Sequence, residues 1–178
     1  YNYTLTAIVS GTETDQASAT GNTTVATPGG FTANVQSSSS VTLSWNSVAN
    51  ATSYKIYKDG SLITSSSSTS YTVSSLSANT SYRFKVKAYS STYGESEESK
   101  EENVTTLLAT PSVTVTNPSD SSVLLQWNLV SGASSYKVYR DTSSSLNCSS
   151  AYSSTNGTSF SENIGSSTYY YRVAAFTS

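Results

Sequence analysis

Apolar and polar residues alternate along this chain in short runs separated by turn residues. Phe31, Ala33 and Val35 alternate after Pro28-Gly29-Gly30, and Val41, Leu43 and Trp45 follow. Tyr54 and Ile56 come next, then a turn at Lys58-Asp59-Gly60 and a short run at Leu62 and Ile63. Tyr71 and Val73 lead to Leu76, then Tyr82, Phe84, Val86 and Ala88, and finally Val104. A period of two places each set on one face, as a half-buried antiparallel strand requires. No segment sustains an apolar period of 3.6 residues, so the pattern predicts an all-β chain without a core helix.

The pattern then repeats. Val113 and Val115 follow Pro111, and Val123, Leu125 and Trp127, Tyr136 and Val138, and Phe160 succeed them in the same order. Trp45 to Trp127 is 82 residues, and so is Tyr54 to Tyr136. One strand pattern occurs three times, at Tyr1–Ala7, Tyr82–Ala88 and Tyr169–Ala175, with starts 81 and 87 residues apart. Such periodicity marks a tandem array. Tyr57 to Tyr71 spans 14 residues and Tyr139 to Phe160 spans 21, so the later copy carries a Ser-rich insertion of about seven residues that contains Cys148.

The early proline, Trp45, the Tyr54-Lys55-Ile56-Tyr57 run and the Leu76-Ser77-Ala78-Asn79-Thr80-Ser81-Tyr82 stretch together resemble the fibronectin type III module. The last stretch looks like a tyrosine corner leading into strand F. The resemblance implies seven-stranded antiparallel β-sandwiches, with strands A, B and E facing C, C′, F and G. It implies strands F and G of a partial module in residues 1–27, a complete module in 28–107, and a module lacking strand G in 108–178. The corner of the later copy is shorter, five residues from Ile164 to Tyr169 against six from Leu76 to Tyr82. Two explanations of the partial modules stay open. The chain is a window on a longer array, or the open sheet edge is completed by a strand of another copy. The short Val104–Pro111 junction, with Leu107 and Leu108, predicts a stiff connection rather than a free hinge.

Composition narrows the chemistry. There is no His, so Ser-His-Asp, Cys-His and His–metal sites are excluded. One Cys cannot form an internal disulfide; Cys148 is a candidate interchain thiol. The net charge of −2 provides no basic footprint for nucleic acid, and no apolar run reaches the length of a membrane span. No cofactor or metal-ligand spacing is present. Ser and Thr supply 68 of 178 residues, which moves solubility from charge to hydroxyls and points to an extracellular or cell-surface location.

Three candidate sites remain. The outward face of strands C and F carries Lys55, Tyr57, Arg83, Lys85, Lys87 and Tyr89, a surface for a protein or glycan partner. Tyr57, Tyr89, Tyr93, Tyr139 and Tyr152 are the tyrosines expected to be exposed; Tyr54, Tyr71, Tyr82, Tyr136 and Tyr171 are expected in the core. The acidic run Glu95–Glu102 falls on the expected F–G loop and the start of strand G, either as a recognition knob or weak calcium site, or as local charge balance, with Lys85 and Lys87 facing Glu101 and Glu102. Residues 28–107 carry six positive and six negative charges, which fits internal pairing. Seven Asn-x-Ser/Thr sequons, at Asn2, Asn22, Asn50, Asn79, Asn103, Asn147 and Asn156, are candidate N-glycosylation sites.

These observations predict a non-catalytic structural segment of a surface or filament protein. It would act as a rod of serial sandwiches in spacing, assembly or adhesion, and its partners would be other copies or neighbouring modules, end to end, and surface glycans. The alternative is a spacer or carbohydrate-contacting accessory region of a large secreted glycoside hydrolase.

Overall fold

The computed structural model describes residues 24–177 and, before them, the backbone of four short strands. Strand β1 (Asn2–Leu5) pairs antiparallel with β4 (Ala17–Thr20), and β2 (Ile8–Val9) with β3 (Thr12–Glu13). Every described regular element is a strand, so the chain is all-β.

In the first sandwich, β5 (Thr32–Val35), β6 (Val41–Ser44) and β9 (Ser70–Val73) form one sheet. The facing sheet holds β7 (Ser53–Lys58), β8 (Ser61–Ser66), β10 (Ser81–Ser90) and β11 (Gly94–Glu95) in the order β11-β10-β7-β8, and β12 (Glu102–Thr105) also pairs with β10. The β7–β8 hairpin turns at Asp59 and Gly60, with φ of 50° and 82°. Positive φ at both central residues is the I′ geometry whose twist matches that of paired strands, and Asp-Gly adopts it readily. Alternation then places Val41, Leu43, Ile56, Phe84, Val86 and Ala88 in the core. Trp45 packs against Phe31 and edge-on against Tyr54, with centroids 6.3 Å and 5.4 Å away.

The second sandwich repeats the plan. Strands β13 (Val113–Ser119), β14 (Ser122–Trp127) and β17 (Ser159–Asn163) make one sheet, ordered β13-β14-β17. Strands β15 (Ser135–Asp141), β16 (Ser153–Thr155) and β18 (Tyr170–Phe176) make the other, ordered β16-β15-β18. Val123, Leu125, Trp127, Val130, Tyr136, Val138 and Val173 form its buried centre. The two copies agree in detail. Val48 N donates to the Tyr54 hydroxyl at 2.9 Å, and Val130 N donates to the Tyr136 hydroxyl at 2.8 Å.

Several positions depart from strict alternation. Val113 and Val115, expected inside, are 36% and 54% exposed. Among the described residues no strand pairs with the far edge of β18, and an open cleft of about 370 Å3 lies there, lined in part by Val115, Val123, Ile164 and Tyr171. Tyr71 and Tyr171 are half-buried rather than core. Tyr139, expected outside, is buried. Its cross-strand neighbour Arg172 reaches Cys148 in the Ser-rich insertion (Nη1 to Sγ, 3.5 Å), so the insertion lies against the face Tyr139 occupies.

Candidate contact face

Strands β7 and β10 pair in register and bring the predicted face together. Lys85 lies opposite Tyr57, and Lys87 opposite Lys55. The Lys55–Lys87 juxtaposition would be repulsive by itself, because like charges opposite each other destabilise a sheet. Glu95 resolves it: its carboxylate pairs with the Lys55 ammonium and lies 3.9 Å from that of Lys87. Glu98 takes Lys85 at 3.0 Å and Lys87 at 3.9 Å, and Glu101 takes Lys85 at 3.4 Å. Glu102, expected opposite the strand lysines, pairs instead with Lys100 at 2.6 Å.

The acidic run reaches these lysines because it is not a free loop. Ser96 N donates to Ala88 O and Ser99 N to Val86 O, both at 2.9 Å. In return Ala88 N donates to Ser96 Oγ and Val86 N to Ser99 Oγ, at 2.9 Å and 3.0 Å. Two serine hydroxyls thus stand where strand carbonyls would, and both serines are buried. The run advances three residues for every two of β10. A period of three returns Glu95, Glu98 and Glu101 to one face, over the lysines. The Glu95-Ser96 and Glu98-Ser99 repeat was the signal for this geometry, and a search for period-two strands passes over it.

Electrostatics follows the geometry. The hydrogen bond to Glu95 raises the Lys55 pKa, and that to Glu98 raises the Lys85 pKa; the Lys55 contact holds the Glu95 carboxyl below its ordinary range. Lys55 also lies 5.4 Å from the Tyr89 ring centroid and Lys87 5.8 Å from that of Tyr57. Arg83 differs, having no carboxylate in ion-pair range among the described residues. It lines a cleft of about 180 Å3 with Tyr57, Gly60, Lys85, Glu98 and Glu101. The face is half-buried and internally compensated, so a partner must compete with ion pairs already made.

A second polar cluster is not foreshadowed by any motif in the sequence. Glu162 on β17 accepts from Arg140 Nη1 at 2.7 Å, the Tyr152 hydroxyl at 2.8 Å and the Tyr171 hydroxyl at 2.7 Å. The Arg140 guanidinium lies 3.8 Å from the Tyr152 ring centroid and 4.3 Å from that of Tyr169. Tyr152 carries the end of the insertion into the cluster. With three hydrogen bonds accepted by one carboxylate, the cluster acts as a clasp. Burial foremost and the bond to Glu162 next raise the Tyr171 pKa, and the Glu162 bond raises that of Tyr152.

Of the sequons, Asn50, Asn79, Asn103, Asn147 and Asn156 are exposed. Asn2 is described only through the backbone of β1, and Asn22 lies outside the described residues. Cys148 is a free, partly exposed thiol. Among the described residues no group of three or more His, Cys, Asp or Glu side chains is placed to hold a metal.

Residues 26–105 match the model of the fibronectin type III domain. The poly(3-hydroxybutyrate) depolymerase of Ralstonia pickettii is 46% identical over 79 residues, covering 44% of this chain and 16% of that protein. The alpha-amylase of Niallia circulans is 48% identical over 67 residues, 36% of this chain and 5% of that protein. Fibronectin type III domain-containing protein 7 of Mus musculus is 35% identical over 104 residues, 57% of this chain and 14% of that protein. The chain thus spans a sixth or less of the length of these relatives. By sequence and by its two-sheet architecture, the segment 26–105 belongs to the fibronectin type III family.

Proposed function

We propose that this chain is a non-catalytic spacer region of a larger extracellular hydrolase, separating a catalytic domain from its neighbours. One observation carries the reading. The outward face of β7 and β10 spends its lysines on its own glutamates, Lys55 on Glu95 and Lys85 on Glu98 and Glu101. A surface compensated in this way keeps a domain soluble without committing it to a ligand. The relatives support it, since the matched segment is a small part of proteins named as a depolymerase and an amylase. The surface-filament reading draws on the tandem repeat, and the glycan-contact reading on Tyr57 and Arg83 beside their cleft.

The test uses the purified chain with granular poly(3-hydroxybutyrate), starch, chitin and cellulose. A spacer leaves each polymer intact and remains in the supernatant. Hydrolysis of any of them by the chain alone contradicts the proposal. Retention on one polymer that is lost in Tyr57→Ala or Arg83→Ala replaces the spacer with a contact role.

A further inference from the structure

The two edges of the β11-β10-β7-β8 sheet are built in opposite ways. At one edge, residues 95–102 carry five Glu and one Lys. At the other, β8 lies in a segment, residues 60–82, that contains no charged residue at all. Strand β8 pairs with β7 alone among the described strands. It exposes two large aliphatic side chains, Leu62 at 51% and Ile63 at 37%. Its register against β7 slips between Ile56 and Tyr57, opposite Thr64 and Leu62, leaving Ile63 as the bulged residue. Edge strands are ordinarily blunted by lysine, proline, charge or a covering element; among the described residues a single bulge is the only such device on β8.

We propose that β8 is a self-association edge, pairing antiparallel with β8 of a second copy about a two-fold axis. The charge pattern selects the occupant. An antiparallel pair of identical strands about a two-fold axis sets the residues nearest the axis against their own copies, so a charge there would meet its like. The uncharged segment removes that repulsion, whereas self-pairing at the opposite edge would bring two glutamate-rich runs together and compete with their ion pairs to Lys55, Lys85 and Lys100. Thr64–Ser66 supply regular backbone groups, and Leu62 and Ile63 supply apolar area. This goes beyond the spacer reading and does not depend on it, because a spacer that stays monomeric and a dimer that binds no polymer are both measurable.

The experiment is sedimentation velocity of the full chain in a Cys148→Ser background, from about 1 μM to about 1 mM, a range suited to a small interface. The proposal predicts a concentration-dependent species of twice 18.8 kDa. Leu62→Lys with Ile63→Lys weakens it at least tenfold, while Glu98→Gln on the opposite edge leaves it unchanged. Near-ultraviolet dichroism, with Trp45 and Trp127 both buried, confirms that each variant is folded. A monomer throughout the range, a dimer that survives the double lysine variant, or an open series of larger oligomers each overturns the proposal.

Discussion

Arg140 Nη1 donates to Glu162 Oε2 at 2.7 Å and so joins β15 of one sheet to β17 of the other. The two side chains are 23% and 11% exposed, so this is a largely desolvated pair. Tyr152 and Tyr171 complete the coordination of the carboxylate. Removing one partner of such a pair leaves the other charge uncompensated. Glu162→Ala is expected to destabilise the second sandwich by about 2–4 kcal/mol, with Glu162→Gln retaining part of that by keeping one acceptor. Urea unfolding of the variants checks this, and a loss below the resolution of the method would mean that the clasp is ornamental.

The same clasp predicts an alkaline limit. Tyr171 and Tyr152 both resist deprotonation. A group whose folded pKa is raised contributes stability that is fully present below its unfolded pKa and is lost as pH rises toward the folded value. For tyrosine that loss begins near pH ~10. Spectrophotometric titration should show two phenols that ionise late, together with unfolding, and Glu162→Gln should return both toward the ordinary range.

The Lys55–Glu95 contact predicts the opposite limb. The Glu95 carboxyl is held below its usual pKa by Lys55. Its contribution is present above the unfolded glutamate pKa and is lost as pH falls through the depressed folded value. Asp141 acts in the same sense, held down chiefly by the backbone N–H groups of Ser143 and Asn147. Melting temperature should therefore fall on acidification. Glu95→Gln should flatten part of that slope, and added salt should weaken the effect because the pair is near the surface.

The matched Tyr54 and Tyr136 hydroxyls predict matched losses. Each accepts from a backbone N–H, Val48 and Val130 respectively. Tyr54→Phe and Tyr136→Phe leave those donors unpaired in partly or fully buried surroundings, and each should cost about 1–2 kcal/mol. Denaturation curves that fail to move in either variant would show that the shared contact is not a stabilising element of the repeat.

What was legible in the sequence depended on period two and on the 82-residue repeat. Trp45, Tyr54, Trp127 and Tyr136 were placed in the core by those signals alone, and all four are buried. The serine-held run at Ser96 and Ser99 was not, because its period of three arises from side-chain hydroxyls replacing strand acceptors. The Arg140–Glu162 pair was invisible for another reason. Its members lie on strands of different sheets and belong to no motif, so only the closed sandwich brings them together. Tyr139 is buried against the alternation because the insertion folds back over its outward face, and Val115 is exposed because period two gives direction but not cover.

The spacer account is tested most directly by the intact mass of the native polypeptide that contains this sequence, with tandem sequencing of its remaining peptides. The account predicts a mass several times 18.8 kDa and a catalytic domain among those peptides. A native polypeptide of 18.8 kDa, or a long one whose peptides all belong to further sandwiches of this kind, would contradict it.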